Sequence, residues 1–218
     1  ESVFIFVNTS SPPELSGRRS RERDRKIGDV LEAAGRVFAA KGFHGASMED
    51  IARAADYATG AIYRYFSGKD ALFMALLERR MEELMAYVLA ETEPATDPAE
   101  ALQITIRAQI EFAARDPSLL QIYFSEGLET VRNEEWDKRF NQRRLKFEKW
   151  LGAQITAGQC AGCFHPGDAR LYVMIVQGMV VGLFRQWASS ALSPRQWAAQ
   201  SRFVVQCALR ALCIHPPS

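Results

Sequence analysis

The most reactive side chains in this chain are Cys160 and Cys163, spaced Cys-Ala-Gly-Cys and followed directly by Phe164 and His165. Two thiols at that spacing can hold zinc or cycle between dithiol and disulfide, and His165 offers a third ligand. A structural zinc site takes four ligands, and the chain has no second cysteine pair at this spacing. Cys207, Cys213 and His215 are distant in sequence but can lie nearby in space. The favoured reading is inert loop thiols with no metal. A thiol- or metal-sensing role for Cys160, Cys163 and His165 is the alternative, which metal analysis with and without Cys160→Ser separates. Neither His44, His165 nor His215 stands in a recognisable nucleophile motif with a serine or cysteine. No glycine-rich loop is arranged to cradle phosphate. The expectation is a non-enzyme without a cofactor, a small all-α enzyme being the least favoured alternative.

A second chemistry is electrostatic. The 218 residues carry 27 basic and 26 acidic side chains, a formal net charge of +1. The chain as a whole is therefore no polycation, and any nucleic-acid role needs charge asymmetry along it. That asymmetry exists. Residues 18–80 hold 13 basic and 9 acidic groups, net +4, and the remainder is net −3. The sharpest cluster is Arg18-Arg19-Ser20-Arg21-Glu22-Arg23-Asp24-Arg25-Lys26. In isolation such a run reads as a solvated leader.

Positioning these groups falls to helices. With 48% hydrophobic and 24% charged residues, the composition is that of an ordinary globular protein. Four cysteines are too few for a disulfide framework. The most apolar run, Leu171 to Phe184, is interrupted by Gln177 and two glycines, so no membrane span is expected. The start, Glu1 to Val7, has no basic leader, and a reduced cytoplasmic location is expected. Ile27, Val30, Leu31, Ala34, Val37 and Phe38 form one helical stripe that stops at Gly42. Ser47 to Asp50 begins a short helix with a capping-box pattern, Asp56 suits a left-handed turn, and a third short helix is expected from Thr59 to Phe66. Longer helices follow: one from Lys69, one from Asp97-Pro98 to Arg115, one around 118–128, then 133–157, 168–189 and 193–212. The segment Val3 to Val7 can be extended but buries nothing. The fold class is all-α with about nine helices, divided into a flexible tail (1–20), a helix-turn-helix DNA-binding unit (21–68) and a larger helical unit (69–215).

Two short helices joined by a tight turn are a helix-turn-helix, whose second helix must expose small or polar residues at its start in order to enter a major groove. Here that start reads Ala58-Thr59-Gly60-Ala61, with Tyr63 and Tyr65 one turn on. The run from Ile51 to Phe66 followed by Lys69, together with Phe38, Gly42 and Ser47, resembles the DNA-binding signature of the TetR (tetracycline-repressor) family. The motif match covers roughly residues 25 to 75. The resemblance implies that Ser47 both caps its helix and touches a phosphate. It also implies that Tyr63, Tyr65 and Lys69 reach the DNA backbone and that Thr59, Gly60 and Ala61 face base edges. Arg53 can reach a phosphate or a base, or stand in solvent. For each of these the plain structural alternative is capping, packing or solvation, strongest for Tyr65.

Three departures from the family pattern bear on readout. Asp56 stands at the usual turn glycine, Ala58 replaces the hydroxyl residue that commonly caps the recognition helix, and Ala61 offers only a methyl group, suited to thymine. Thr59 can take over the cap at the expense of a base contact. Direct readout by this helix is thin, so added help is expected from Arg18–Lys26, as a backbone clamp or as an arm into a neighbouring minor groove.

The resemblance further implies that the remaining residues bind a small-molecule effector and form a homodimer, the last two long helices pairing across a two-fold axis so that two reading heads meet a palindromic operator. Leu171 to Phe184 is apolar nearly all round and is expected to be buried on several sides. Its Gly178 and Gly182 permit close helix approach, within the chain or across a dimer. Met81, Met85, Phe112, Tyr123, Phe124, Phe140, Phe147 and Trp150 are the candidate lining of an apolar ligand cavity, with plain core as the alternative for each. Gln177 is the candidate polar group within it. An apolar or aromatic effector fitting one tilt of the helix that carries Lys69, Met81 and Met85 would change the spacing of the two heads and release a repressor from DNA.

Overall fold

A computed structural model of the chain describes residues 13–116, 118–124, 133–189 and 193–215. Among them are nine helices and no strand. They are α1 (Pro13–Gly45), α2 (Met48–Ala55), α3 (Thr59–Ile62), α4 (Lys69–Thr92), α5 (Pro98–Arg115), α6 (Ser118–Tyr123), α7 (Glu134–Cys160), α8 (Ala169–Ala188) and α9 (Pro194–Leu212). The expected extended segment Val3 to Val7 and the expected continuation of α6 to Leu128 lie outside the described residues.

Local chemistry sets most of these boundaries. Ser47, Asp97, Asn133, Asp168 and Ser193 each cap the following helix, accepting from a backbone N–H of its first turn. Proline at the first position helps start α5 and α9. Gly42 breaks α1 with φ 70° and ψ 171°, which lets Phe43 turn back onto Phe38 and Phe73. α1 begins at Pro13, well before the expected start, so residues 13–20 of the anticipated flexible tail are helical. α3 is a single turn, shorter than the expected helix to Phe66.

Two cores result. Val30, Phe38, Ile51, Ile62, Leu72, Phe73 and Leu76 are among those that close the first, built by α1 to α3 and the start of α4. Ile122 from α6 and Trp136 from α7 also enter this core, tying it to the second unit. The other core is formed by α5, α7, α8, α9 and the end of α4, with Ile106, Leu151, Ile155, Val176 and Leu212 fully buried. α8 buries one face, Val173, Val176, Val180, Leu183 and Trp187. Within one chain it is not buried on several sides as expected: Leu171, Met174, Ile175 and Val181 are exposed, and Gly178 and Gly182 open onto free space. By length and hydropathy α8 alone among the described helices would suffice to cross a membrane. Its buried face packs here against α5, α7 and α9.

Candidate DNA interface

The start of α2, where α1 turns into it, is built by hydrogen bonds. Ser47 Oγ accepts from Asp50 N–H (3.1 Å) while the Asp50 carboxylate accepts from Ser47 N–H (3.3 Å), a reciprocal box. Lys41 Nζ lies 2.8 Å from Asp50 and Arg53 3.8 Å away. The hydrogen bond from Lys41, then that from Ser47, holds the Asp50 carboxyl below the ordinary carboxylate range. Ser47 is half-buried, its hydroxyl engaged with Asp50. Arg53 is largely exposed on the outer side of α2.

Asp56 occupies the left-handed region (φ 59°, ψ 41°), the one non-glycine residue with positive φ among those described. It thus does the work of the turn glycine, and Tyr57 N–H and Asp56 N–H close the end of α2 on Ala52 and Arg53 carbonyls. Ala58 is the residue before α3 and supplies no side-chain cap; Thr59 is the first helical residue and does not take over that role. Thr59 and Ala61 are half-buried, Gly60 is exposed with nothing near its missing Cβ, and Tyr63 is 50% exposed. Ile62 between them is fully buried and anchors the turn. The outward face therefore offers a methyl, a bare backbone and a phenol, a surface small enough to approach closely.

Tyr65 and Lys69 are less free. Tyr65 packs against the first core. Lys69 Nζ donates to the Ala46 carbonyl (3.0 Å) and sits 4.6 Å over the Phe43 ring, bracing α4 against the α1–α2 turn. Two residues not singled out in the sequence belong to this face. Arg64 is exposed between Tyr63 and Tyr65. Tyr57 Oη donates to Asp29 (2.9 Å), and that bond, then burial, pushes the phenol pKa up. The signal for both was their adjacency to the expected reading turn.

The anticipated ligand residues do not share one environment. Met85, Phe124, Phe147 and Trp150 pack in the second core, where the Phe147 and Trp150 rings stack at 5.5 Å. Tyr123 and Phe140 pack on the first core, beside Trp136. Phe112 lies against Tyr87 at 5.9 Å, and half-buried Met81 joins neither core. Gln177 is half-buried, and its Nε2, shut off from solvent, has no hydrogen-bond partner among the described residues.

The Cys160–His165 segment is a strap. Phe164 and Cys213 form a bridge: His165 N–H donates to the Leu212 carbonyl (2.8 Å) and Ile214 N–H to that of Cys163 (3.0 Å). Phe164 packs so tightly on Gly158 that an added Cβ would lie 2.3 Å from its ring. Cys160 is exposed, Cys163 half-buried and Cys213 buried, and all are free thiols. Burial, followed by the fields of Asp97 and Cys163, pushes the Cys213 thiol pKa up. No three metal-ligating side chains converge among the described residues.

Comparison with known proteins agrees with this architecture. Residues 30–76 match the family model for bacterial regulatory proteins of the tetR family, and residues 95–198 match a tetracyclin repressor-like C-terminal domain. The HTH-type transcriptional repressor NicS of Pseudomonas putida is 30% identical over 78% of this chain and 71% of its own length. The HTH-type transcriptional activator FasR of Mycolicibacterium smegmatis is 31% identical over 47% of each chain, so the match spans about half of that relative. The fatty acid degradation regulator FadR from Bacillus halodurans superposes with a TM-score of 0.72 at 25% identity, over 84% of this chain and 94% of its own. With both halves matched, a relative spanned over more than two thirds of its length and an all-helical fold in common, the chain belongs to the TetR family of DNA-binding transcriptional regulators.

Proposed function

We propose that the protein acts as a homodimeric repressor that binds a palindromic operator through α3 and is released by a small apolar or aromatic effector. The observation that carries this reading is the open outer face of α3, where exposed Gly60 and Tyr63 flank the buried anchor Ile62. A short helix held from beneath and bare above can slide into a major groove about 12 Å wide. In this reading Thr59, Gly60 and Ala61 meet base edges, while Ser47, Tyr63, Tyr65, Arg53 and Lys69 position the backbone. In this reading the reading unit ends near residue 68 and a regulatory unit lies beyond it, joined where Leu72, Phe73, Leu76 and Leu77 of α4 enter the first core.

The exposed row Leu171, Met174, Ile175, Gly178 and Gly182, with Phe203 of α9 at 67% exposure, supports the dimer. An apolar row of this length facing water is unfavourable unless a second copy covers it. The effector space lies in the second core around Met85, Phe147, Trp150 and Gln177, where the unpaired Gln177 amide can meet a ligand carbonyl. One relative is named as a regulator of fatty acid degradation, so acyl chains are the first effectors to test. Neither a metal nor a cofactor enters this mechanism, and the protein works in the cytoplasm. The test is a gel shift on the DNA upstream of its own gene, repeated with fatty acyl compounds and aromatic acids. The expected result is a discrete shifted band lost on addition of one class. No shift on any duplex would overturn the reading.

A further inference from the structure

α1 runs without interruption from Pro13 to its break at Gly42, and the family match begins only at residue 30. The residues before that match extend α1 by about 20 Å from Pro13 to Lys26 at 1.5 Å per residue. Six cations fall in it at helical spacings: 18, 21 and 25 in one row, 19, 23 and 26 in the next. Arg21, Arg23 and Arg25 are exposed.

The root of this extension is fixed to the reading turn. Tyr57, two residues before α3, donates to Asp29, and Arg25 lies 4.0 Å from the same carboxylate. Lys26, paired with Glu22 at 2.8 Å, lines one small surface pocket with Ala61, Arg64 and Tyr65. The basic helix thus leaves the reading unit beside α3 and the exposed Arg64. Its thickness decides how it can engage DNA. A helix with side chains is about 10–12 Å across, whereas the minor groove is about 6 Å wide. The minor-groove arm considered from the sequence does not fit this helix.

We propose that the Pro13–Lys26 portion of α1 is a helical phosphate clamp, laying its cations along the backbone of the duplex that flanks the half-site read by α3. The inference rests on the DNA-binding reading above. As a contact to phosphates alone, the clamp adds affinity and salt dependence without adding sequence preference.

The test compares the full chain with R18Q/R19Q/R21Q/R23Q, and with the same four positions changed to lysine, on a duplex selected by the wild type from a random pool and on its shuffled counterpart. Circular dichroism checks that each variant keeps its helix content. The glutamine variant is expected to bind both duplexes more weakly by a similar factor. Its slope of log affinity against log salt should flatten by about 0.9 for each phosphate contact removed, and lysine should restore it. Unchanged affinity and slope would overturn the clamp and leave the reading of α3 intact. Loss of discrimination between the two duplexes would also overturn it, since the segment would then be reading bases. If the wild type retains no duplex at all while remaining folded, the reading of α3 fails and the clamp with it.

Discussion

At the scale of single residues, the informative positions are those where chemistry and surroundings disagree. Gln177 places an amide N–H out of solvent on the most apolar helix without a hydrogen-bond partner among the described residues. An orphaned donor of this kind costs about 1–3 kcal/mol, a penalty retained more readily where a ligand answers it than where nothing does. Gln177→Leu should therefore raise the stability of the free protein by about 1 kcal/mol in denaturant titrations while weakening effector-driven release from DNA. Lower stability with unaltered effector response would assign Gln177 to packing alone. Gln177 was legible in the sequence as a polar interruption of an apolar run. The division of Tyr123 and Phe140 from Phe147 and Trp150 was not, because residue type says that an aromatic is buried but not in which of two cores.

At the scale of elements, legibility followed local chemistry. The starts of α5 and α9 were readable because Asp-Pro and Ser-Pro state a cap and a first helical residue in adjacent letters. The left-handed Asp56 was readable because few other side chains tolerate that turn. The early start of α1 was hidden, since residues 13–26 have almost no apolar periodicity. Helix there propagates from the packed stretch after Ile27, with pairs such as Glu22–Lys26 assisting, and adding a residue to an existing helix is far easier than nucleating one. The capping box of α2 carries a pH dependence. The folded pKa of Asp50 is depressed, so the stability it contributes is present above the ordinary carboxylate range near pH 4 and is lost as pH falls through the folded value. Acid unfolding followed by circular dichroism should show part of its low-pH loss removed in Asp50→Asn, which should also be less stable at neutral pH. An acid limb identical to the wild type would mean the Lys41–Asp50–Ser47 contacts contribute nothing net.

At the scale of the whole molecule, two linkages matter: between the two cores and, in the proposed dimer, between two copies of the chain. Arg80 of α4 reaches Glu32 of α1 at 3.1 Å, while Arg143 of α7 reaches Glu82 of α4 at 2.6 Å. With Ile122 and Trp136 set in the first core, these pairs give the regulatory helices a mechanical hold on the reading unit. The exposed row on α8 was expected to be buried on several sides, by this chain or by a second copy, and the sequence could not choose between them because apolar composition carries no record of which chain supplies the cover. Met174→Glu combined with Phe203→Glu places charge in that row without touching either core. Sedimentation should show the wild type as a dimer and this variant as a folded monomer with DNA affinity reduced by more than tenfold. A variant that remains dimeric would move the interface elsewhere.

The most direct test of the account is a footprint, because it asks at once whether α3 enters a major groove and whether it does so twice. Duplexes retained by the protein from a random pool would be probed by hydroxyl-radical cleavage and by interference from methylated guanine. The account predicts two symmetric protected segments centred about 10 base pairs or a multiple apart, with interference in the major groove of each. A single protected segment, or interference confined to the minor groove, would contradict it.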